Sequence, residues 1–444
     1  MHRMSAVQLL ELIRSRELGV EELTRHYLER IEKYDRGEGG LHSVSELYPQ
    51  ALEEARRMDA QKDRSALLFG LPILIKENID VAGLHTTSGS LALSDNLAKT
   101  DAPIVTNLRR SGALILGKTN MTEFANYMTE GMPGGYSSRG GQVIHAYHPD
   151  KSPGGSSSGS GVAVSAGLCA AAIGTDTSFS IVGCASMNGI TGLKPAHGSL
   201  SSKGILPIAH TLDTAGPMTK DMEDALLVYS GMRDTPLRPV EPTKVEDLRL
   251  AINVYHRQKM APEQGTKMEE LLDVLKGEGV HIGEVHHPHK IAEDTIMHYE
   301  FRHDLEEYLS TSNASRKTLR EILSFYDEAP EERMKYGYFY LQKALEEATG
   351  KLDDAEYLEA LKLRENFREK VYASLEKYDI CLMTGHTGIM HFIGAPSVAL
   401  RLGMTSDGAP IGMILYGKDE REVYAAALTM EKYTRPFALP ESMQ

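Results

Sequence analysis

The chain has 444 residues, of which 41% are hydrophobic and 25% are charged. This composition is that of an ordinary folded protein and excludes the disordered and fibrous classes. The formal net charge of −14 repels phosphate backbones and no basic cluster reverses it locally, so we expect no nucleic-acid partner.

The cysteines and the first residues bear on where the protein works. Cys169, Cys184 and Cys381 are an odd number at wide spacings, which favours reduced thiols over a disulfide framework, and they form no metal-binding pattern. Residues 1–5 lead directly into charged helical sequence, without the apolar stretch of a secretory signal or a membrane span. We therefore expect a cytoplasmic protein with no membrane partner.

The first part of the chain alternates between helical and strand-like patterns. Apolar residues recur at helical spacing through residues 5–61, which predicts two or three amphipathic helices. Short apolar runs at 67–76 and 113–118 are bounded by Gly and Pro, as buried strands usually are. The Gly/Ser-rich residues 151–161 lead straight into a small apolar run at 162–173, so we expect a buried helix or strand to hold this loop in place.

The alternation continues to the end of the chain and predicts one α/β domain over residues 1–444, with a two-domain arrangement as the alternative. We divide this domain into four parts. They are N-terminal helices at 5–61, a core at about 65–232, a helical insertion at about 260–376, and C-terminal strands with a helix at 378–435.

A first candidate motif is Gly155-Ser156-Ser157-Ser158-Gly159, which fits the G-x-S-x-G nucleophile elbow and would make Ser157 the nucleophile. An elbow follows a strand, whereas the residues before this motif are rich in turn formers. In a stretch so dense in Gly and Ser the pattern also arises easily by chance. We therefore regard this match as weak.

A more specific pattern combines distant segments. They are Gly70-Leu-Pro-Ile-Leu-Ile-Lys76-Glu-Asn78, Ser152-Pro-Gly-Gly-Ser156-Ser157, Gly174-Thr-Asp-Thr-Ser-Phe-Ser180 and Gly192-Leu-Lys-Pro195. In order and spacing they resemble the amidase signature family, and the resemblance extends from the N-terminal helices to about residue 433. It implies an α/β/α fold with a central mixed β-sheet covered by helices on both faces. It also implies hydrolysis of amide-type C–N bonds.

The resemblance implies that Ser180 is the nucleophile, that Ser156, held in a cis peptide, is a bridging residue, and that Lys76 is the base. Physical chemistry supports these roles. A lysine at the end of an apolar strand is desolvated, which lowers its pKa and makes the neutral amine available. A serine hydroxyl between the nucleophile and this amine relays the proton, so no histidine is required.

Other site residues are expected around this triad. Backbone N–H groups of Thr177, Ser178, Phe179 and Ser180 are candidates for the oxyanion hole. We expect Phe179, Ser157 and Met128 to contact the substrate, and no metal or cofactor to take part.

We assign no catalytic role to the polar residues outside the triad. We interpret Asp176 as loop support and Cys184 as core packing. The histidines have no metal-binding spacing, so we interpret them as local polar residues. They include His85, His210, His386 and His391.

The chain departs from the family pattern near the nucleophile. Ser178 and Phe179 replace two glycines, and Val182 replaces an arginine. The missing guanidinium removes a partner for a substrate carboxylate or for an acid of the loop, and Phe179 adds an apolar body. Residues 383–394 are also shorter than in the family. We therefore expect an open, apolar pocket and a small-molecule amide, anilide or carbamate as the substrate.

Three other functions remain open from the sequence. The first is the glutamine-hydrolysing component of a tRNA-dependent amidotransferase. The second is a promiscuous esterase, because a nucleophile that expels an amine usually also expels an alkoxide. The third is a non-catalytic binding protein, for which the changes at Phe179 and Val182 are the only support. We expect a monomer or a homodimer.

Overall fold

The computed structural model describes residues 1–287 and 291–444. Among these residues, eleven strands form one mixed sheet in the order β1-β3-β2-β6-β8-β7-β12-β13-β11-β9-β10, and β4 and β5 form a separate ribbon. The strands are β1 (Val44–Leu47), β2 (Pro72–Lys76), β3 (Leu114–Thr119), β4 (Tyr136–Ser137), β5 (Gly141–Gln142), β6 (Ala171–Asp176), β7 (Thr191–Lys194), β8 (Thr214–Thr219), β9 (Arg249–Asn253), β10 (His281–Val285), β11 (Ile380–Met383), β12 (Ser397–Met404) and β13 (Pro410–Tyr416).

Helices surround this sheet. They are α1 (Ala6–Ser15), α2 (Val20–Tyr34), α3 (Ala51–Asp59), α4 (Pro103–Arg110), α5 (Ser158–Ser165), α6 (Val182–Asn188), α7 (Met222–Met232), α8 (Val254–Lys259), α9 (Pro262–Gly277), α10 (Glu293–Thr311), α11 (Leu319–Asp327), α12 (Pro330–Arg333), α13 (Phe339–Glu347), α14 (Ala355–Ser374), α15 (Ile389–Phe392) and α16 (Glu420–Met430). In the part of the chain that the structure describes, no helix has both the length and the apolarity needed to cross a membrane.

Helices bury both faces of the sheet. Alternate residues of one strand point to opposite faces, so the contacts of neighbouring residues show what covers each face. On β13, Leu415 belongs to a hydrophobic cluster that includes residues of α9 and α16. Its neighbours Ile414 and Tyr416 belong to a second cluster, which includes residues of α5, α10 and α14. The predicted α/β/α fold with a central mixed sheet is therefore confirmed.

The sheet also determines where the polar residues of the site lie. β2 pairs in parallel with β6, with Ile75 opposite Ile173. Since parallel neighbours end at the same edge of a sheet, Lys76 at the end of β2 lies beside Thr175 and Asp176 at the end of β6. α5 begins directly after Ser157 and packs on both strands, so the Gly/Ser-rich loop is held in place as expected.

Two predicted regions contain strands that the sequence pattern does not reveal. β1 lies within residues 5–61, where only helices are expected, and pairs with β3 through an irregular register. β10 lies within the predicted helical insertion and pairs in parallel with β9, so this part of the insertion belongs to the sheet edge. Both strands have short, partly exposed sequences without a clear two-residue period. Residues 288–290 of the predicted insertion lie outside the described residues, and the single-domain interpretation stays a prediction.

Candidate active site

Lys76 lies at the centre of a buried hydrogen-bond network. Its side chain has no exposed surface, and its Nζ is 2.8 Å from Ser156 Oγ, 3.0 Å from Ser157 Oγ and 2.8 Å from Thr175 Oγ1. Asn78 donates to the same Thr175 hydroxyl at 3.1 Å and fixes its position. The amine is therefore surrounded by hydroxyl groups, which accept a hydrogen bond from it in one protonation state and donate one in the other.

Burial changes the protonation of Lys76. Desolvation lowers the pKa of its amine from 10.5 to about 7, and the nearby carboxyls of Asp176 and Asp213 only partly oppose this change. An ammonium group loses its hydration shell in this position, and this loss disfavours the charged form relative to the neutral amine. At neutral pH a substantial fraction of Lys76 is therefore able to accept a proton.

Ser156 connects Lys76 to Ser180. The peptide bond between Gly155 and Ser156 is cis. The Ser156 Oγ is 3.1 Å from the Ser180 Oγ, and the Ser156 backbone N–H donates to the same Ser180 oxygen at 3.0 Å. The three side chains predicted as the triad thus form one continuous row of hydrogen bonds, which runs from Ser180 through Ser156 to Lys76.

Asp176 shapes the loop that carries Ser180. Its carboxylate accepts the backbone N–H of Phe179 at 3.0 Å and that of Ile181 at 2.5 Å, on either side of Ser180. This geometry corrects the predicted oxyanion hole, because the Phe179 N–H points at Asp176 and is not free to bind an oxyanion. The N–H groups of Thr177, Ser178 and Ser180 remain the candidates.

Asp176 has His391 as its neighbour. The His391 Nδ1 lies 2.7 Å from the Asp176 Oδ1, and both residues are almost completely buried. Burial alone would raise the pKa of Asp176, but the contact with His391, the nearby Lys194 and the Ile181 N–H outweigh burial and hold this pKa at about 2. His391 thus provides the partner for a loop acid that the missing arginine at Val182 does not provide.

The other two departures from the family pattern also have partners. The Ser178 hydroxyl donates to the Glu293 Oε1 at 3.0 Å. The Phe179 ring packs edge-on against His386, with 4.6 Å between ring centres, and lies 5.9 Å from the ring of His391. Phe179 has a φ of 84°, in the left-handed region that favours glycine. Ser178 therefore contacts a side chain of α10, and Phe179 contacts two side chains of residues 384–392.

A cavity of about 440 Å³ opens beside Ser180. Its wall combines aromatic and apolar side chains with charged ones, so it is less apolar than expected. Tyr127 and Tyr340 stack with 5.5 Å between their ring centres. The lining residues are Ala125, Asn126, Tyr127, Gly155, Thr177, Ser178, Ser180, Ile208, Glu293, Asp294, Met297, His298, Tyr340, Lys343 and His386.

The complete burial of Met128 and Ser157 contradicts two of the three predicted substrate contacts, and the contact of Phe179 stays a prediction. Met128 and Ser157 have no exposed surface, and Phe179 is turned towards the two histidines. These three are not among the described residues that line the cavity. Ser157, the alternative nucleophile, instead accepts a hydrogen bond from Lys76 and donates one to the Thr175 carbonyl oxygen at 2.9 Å, so it supports the base.

The sequence does not reveal that Glu293 and His386 belong to the cavity wall. Glu293 is one acid among many in a charged helical stretch, and His386 is interpreted there as a local polar residue. The serine in place of glycine at Ser178 is the only sequence signal that a new polar partner is needed. Cys184 is buried and burial raises the pKa of its thiol to about 12, which agrees with core packing.

Among the described residues, two groups of potential metal ligands overlap at Asp304. In the described part of the chain, His210, Glu300 and Asp304 place their donor atoms within 4.8 Å of one another. The carboxylates already accept hydrogen bonds, since Asp304 accepts the His210 N–H at 2.7 Å and Glu300 accepts the Thr211 N–H at 3.0 Å. We interpret this group as support for the loop before β8.

Comparisons with known proteins agree on one family. The family model described as Amidase matches residues 22–388. A relative in Nitrosococcus oceani, which is named as a component of glutamyl-tRNA(Gln) amidotransferase, is 31% identical over 94% of this chain and 87% of its own length.

Solved structures give the same result. The crystal structure of an amidase family protein from Bacillus anthracis has a TM-score of 0.92 and 29% identity, and the match covers 99% of this chain and 92% of that one. The native peptide amidase from Stenotrophomonas maltophilia has a TM-score of 0.91 and 30% identity, with 99% and 98% covered. The similarity thus extends over nearly the full length of both folds.

Proposed function

This chain belongs to the amidase family of hydrolases that act on C–N bonds, and from that premise we propose that it cleaves amide, anilide or carbamate substrates through an acyl-enzyme on Ser180. The observation that carries the proposal is the row of hydrogen bonds from Ser180 through Ser156 to Lys76. Its last member is a buried amine with a pKa of about 7.

The acylation step follows from this row. The Ser180 oxygen attacks the carbonyl carbon while its proton passes to Ser156, and the Ser156 proton passes to Lys76. Backbone N–H groups of the loop bind the oxyanion that forms. The tetrahedral intermediate then collapses, the C–N bond breaks, and the leaving amine takes the proton back from Lys76 through Ser156.

The deacylation step uses the same residues. Water attacks the Ser180 ester and gives a proton through Ser156 to Lys76. The intermediate expels Ser180, which recovers that proton, and the carboxylic acid leaves. A carbamate would give a carbamoyl-enzyme or a carbonate ester, according to which bond breaks, and the same water attack would complete the cycle.

The test compares hydrolysis of a panel of p-nitroanilides and an aryl carbamate by the wild type, Ser180→Ala and Lys76→Ala. We expect both variants to lose activity and the wild type to form a covalent adduct at Ser180, detected by mass spectrometry. Ser201→Ala is the control, because Ser201 is exposed. Activity that survives in a folded Ser180→Ala would contradict the proposal, and so would turnover that depends on an added metal.

A matched ester and amide pair separates the amidase from the esterase alternative. Esters are easier to cleave by the same chemistry, so the informative quantity is whether any amide is cleaved at a useful rate. An absence of all turnover by a folded wild type would favour the non-catalytic binding protein.

A second candidate function is the hydrolysis of glutamine within a tRNA-dependent amidotransferase. The observation that favours it is the Nitrosococcus oceani relative, which is 31% identical over most of both chains. The test is glutaminase activity of the chain alone and after addition of the other components of such a complex. Glutamine turnover that appears only with those components would support this function, whereas anilide turnover by the chain alone would support the stand-alone amidase.

A further inference from the structure

Glu293 has an unusual position in the cavity. It is the first residue of α10, it is 9% exposed, and it lines the cavity beside Ser180. The Ser178 hydroxyl, two residues before Ser180 in the same loop, donates to Oε1 at 3.0 Å. This contact ties the carboxyl to the loop that carries the nucleophile.

Gly388 lies on the other side of the Glu293 carboxyl and also restricts its position. A Cβ atom added to Gly388 would lie 2.4 Å from both Oε1 and Oε2 of Glu293. Such a distance is far below van der Waals contact, so only glycine leaves room for the carboxyl here. The side chain is therefore held between the nucleophile loop and residues 384–392.

The second oxygen of this carboxyl lacks a donor. Across residues 1–287 and 291–444, Glu293 Oε2 is buried and has no hydrogen-bond partner. Buried polar atoms are almost always paired, because an unpaired acceptor loses its hydration without compensation. Burial also raises the pKa of Glu293 to about 7, a condition that a bound donor would reverse.

We propose that Oε2 of Glu293 accepts a hydrogen bond from an N–H group of the substrate, and that the protein selects amides that carry such a donor close to the scissile carbonyl. This inference rests on the proposed function and names its substrate class. Acylated amino-acid amides, peptide amides and free amino-acid amides all carry such an N–H group on the carbon atom next to the scissile carbonyl. Simple aliphatic or aryl acyl amides lack it.

The charges around Glu293 are compatible with a substrate N–H group that is either neutral or cationic. Asp294 and Lys343 line the same cavity with opposite charges, and His298 and His386 complete its polar side. The shared chemistry of the ligand is therefore the N–H group itself, and the experiment identifies its charge.

The experiment measures kcat/KM for matched p-nitroanilides. N-acetylphenylalanine p-nitroanilide carries the donor, and both its N-methyl derivative and 3-phenylpropionic acid p-nitroanilide lack it. We expect the wild type to prefer the donor substrate by about tenfold or more, the range of a hydrogen bond to a charged group. Phenylalanine p-nitroanilide carries an ammonium donor, and its rank against the acetylated substrate shows which charge is preferred.

Glu293→Met keeps the length of the side chain and removes both oxygens. We expect this variant to lose the preference, so that the ratio of its kcat/KM values for the donor and donor-free substrates falls to about one, whatever the change in the absolute rates. Gly388→Ala is a second variant, which displaces the carboxyl without removing it and should lose the preference in the same way. Glu307→Gln removes a charge from an exposed position of α10 and should behave as the wild type.

Three results would overturn the inference. Equal rates of the wild type on donor and donor-free substrates would do so, as would an unchanged preference in a folded Glu293→Met or in Gly388→Ala. In these cases hydrolysis itself continues, so the proposed function stands. Absence of turnover of every substrate by the wild type would instead overturn the proposed function and the inference together.

Discussion

The cavity beside Ser180 has two walls, which differ in how their polar atoms are paired. The first wall carries Ser180, and the second wall faces it. Behind the first wall, the buried residues Lys76, Ser156 and Ser157 each have hydrogen-bond partners within the loops at the ends of β2 and β6. On the second wall, which α10, α13 and residues 384–392 form, Glu293 keeps a buried oxygen without a partner among the described residues.

This difference separates reaction chemistry from substrate selection. The proton relay needs fixed distances between its atoms, so its residues are paired and held before substrate arrives. A wall that recognises different substrates needs groups that are completed by the ligand itself. Variants of the first wall should therefore reduce kcat, and variants of the second should change KM or the ranking of substrates.

The largest effect is expected for Lys76→Met behind the first wall. This change removes the base but keeps an unbranched side chain in the buried position. We expect kcat to fall by about 10³-fold, within the range of general acid–base catalysis, with little change in KM. Steady-state kinetics with a p-nitroanilide measures both constants.

Lys203→Met is the control for Lys76→Met, since Lys203 is exposed at a loop. A folded Lys76→Met that retains most of its kcat would show that another group serves as the base and would remove the contrast between the two walls.

The pH dependence of kcat/KM is the next largest effect. Desolvation lowers the pKa of Lys76 to about 7, and only the neutral amine accepts a proton. Activity should therefore be constant at high pH and fall about tenfold per pH unit below about 7, as the amine becomes protonated. A profile that stays flat down to pH 5 would contradict the role of Lys76.

His391→Leu tests the connection between the two walls, because His391 lies on the second wall and contacts Asp176 of the first. The change leaves Asp176 buried with only its backbone donors, so the Ser180 loop should lose its fixed shape. We expect kcat to fall roughly tenfold and the melting temperature to drop. His391→Gln, which keeps a polar group, should retain more of both, and equal losses in the two variants would contradict a role of the polar contact.

The smallest effect is expected for Tyr340→Ala on the second wall. Tyr340 lines the cavity and stacks on Tyr127, so its loss removes apolar surface from the substrate site. We expect KM for aromatic anilides to rise up to about tenfold while kcat changes little. A fall in kcat without a rise in KM would contradict the assignment of this wall to binding.

The residues around Ser180 are predicted better from the sequence than the residues of the opposite wall. Lys76, Ser156 and Ser180 lie in short motifs that resemble those of the amidase signature family, and this resemblance connects the three distant segments before the fold is known. The mixed sheet with helices on both faces is implied by the same resemblance. The positions of these segments in space depend on the parallel pairing of β2 and β6. The sequence does not predict this pairing, because the apolar run at 162–173 fits a helix as well as a strand.

The opposite wall is not predicted, and the reason is physical. Glu293 lies in charged helical sequence where most acids face solvent, and only the fold brings it to Ser178 and Gly388. Met128 is expected on the wall, but Tyr127 beside it lines the cavity and Met128 packs in the core. Strand β10 is missed because an exposed edge strand has little apolar periodicity.

The order of strands in the sheet has a consequence for the newly synthesised chain. Strands β1 to β8 of the main sheet are neighbours on one side of it, and β9 to β13 make up the other side. The junction is the pairing of β7 with β12, where Lys194 lies opposite Ser397. As the chain leaves the ribosome, the edge of β7 has no partner until most of the remaining residues have been made, and unpaired strand edges are sites of aggregation. The residues of the proton relay are therefore all synthesised while the sheet that holds them still has an open edge.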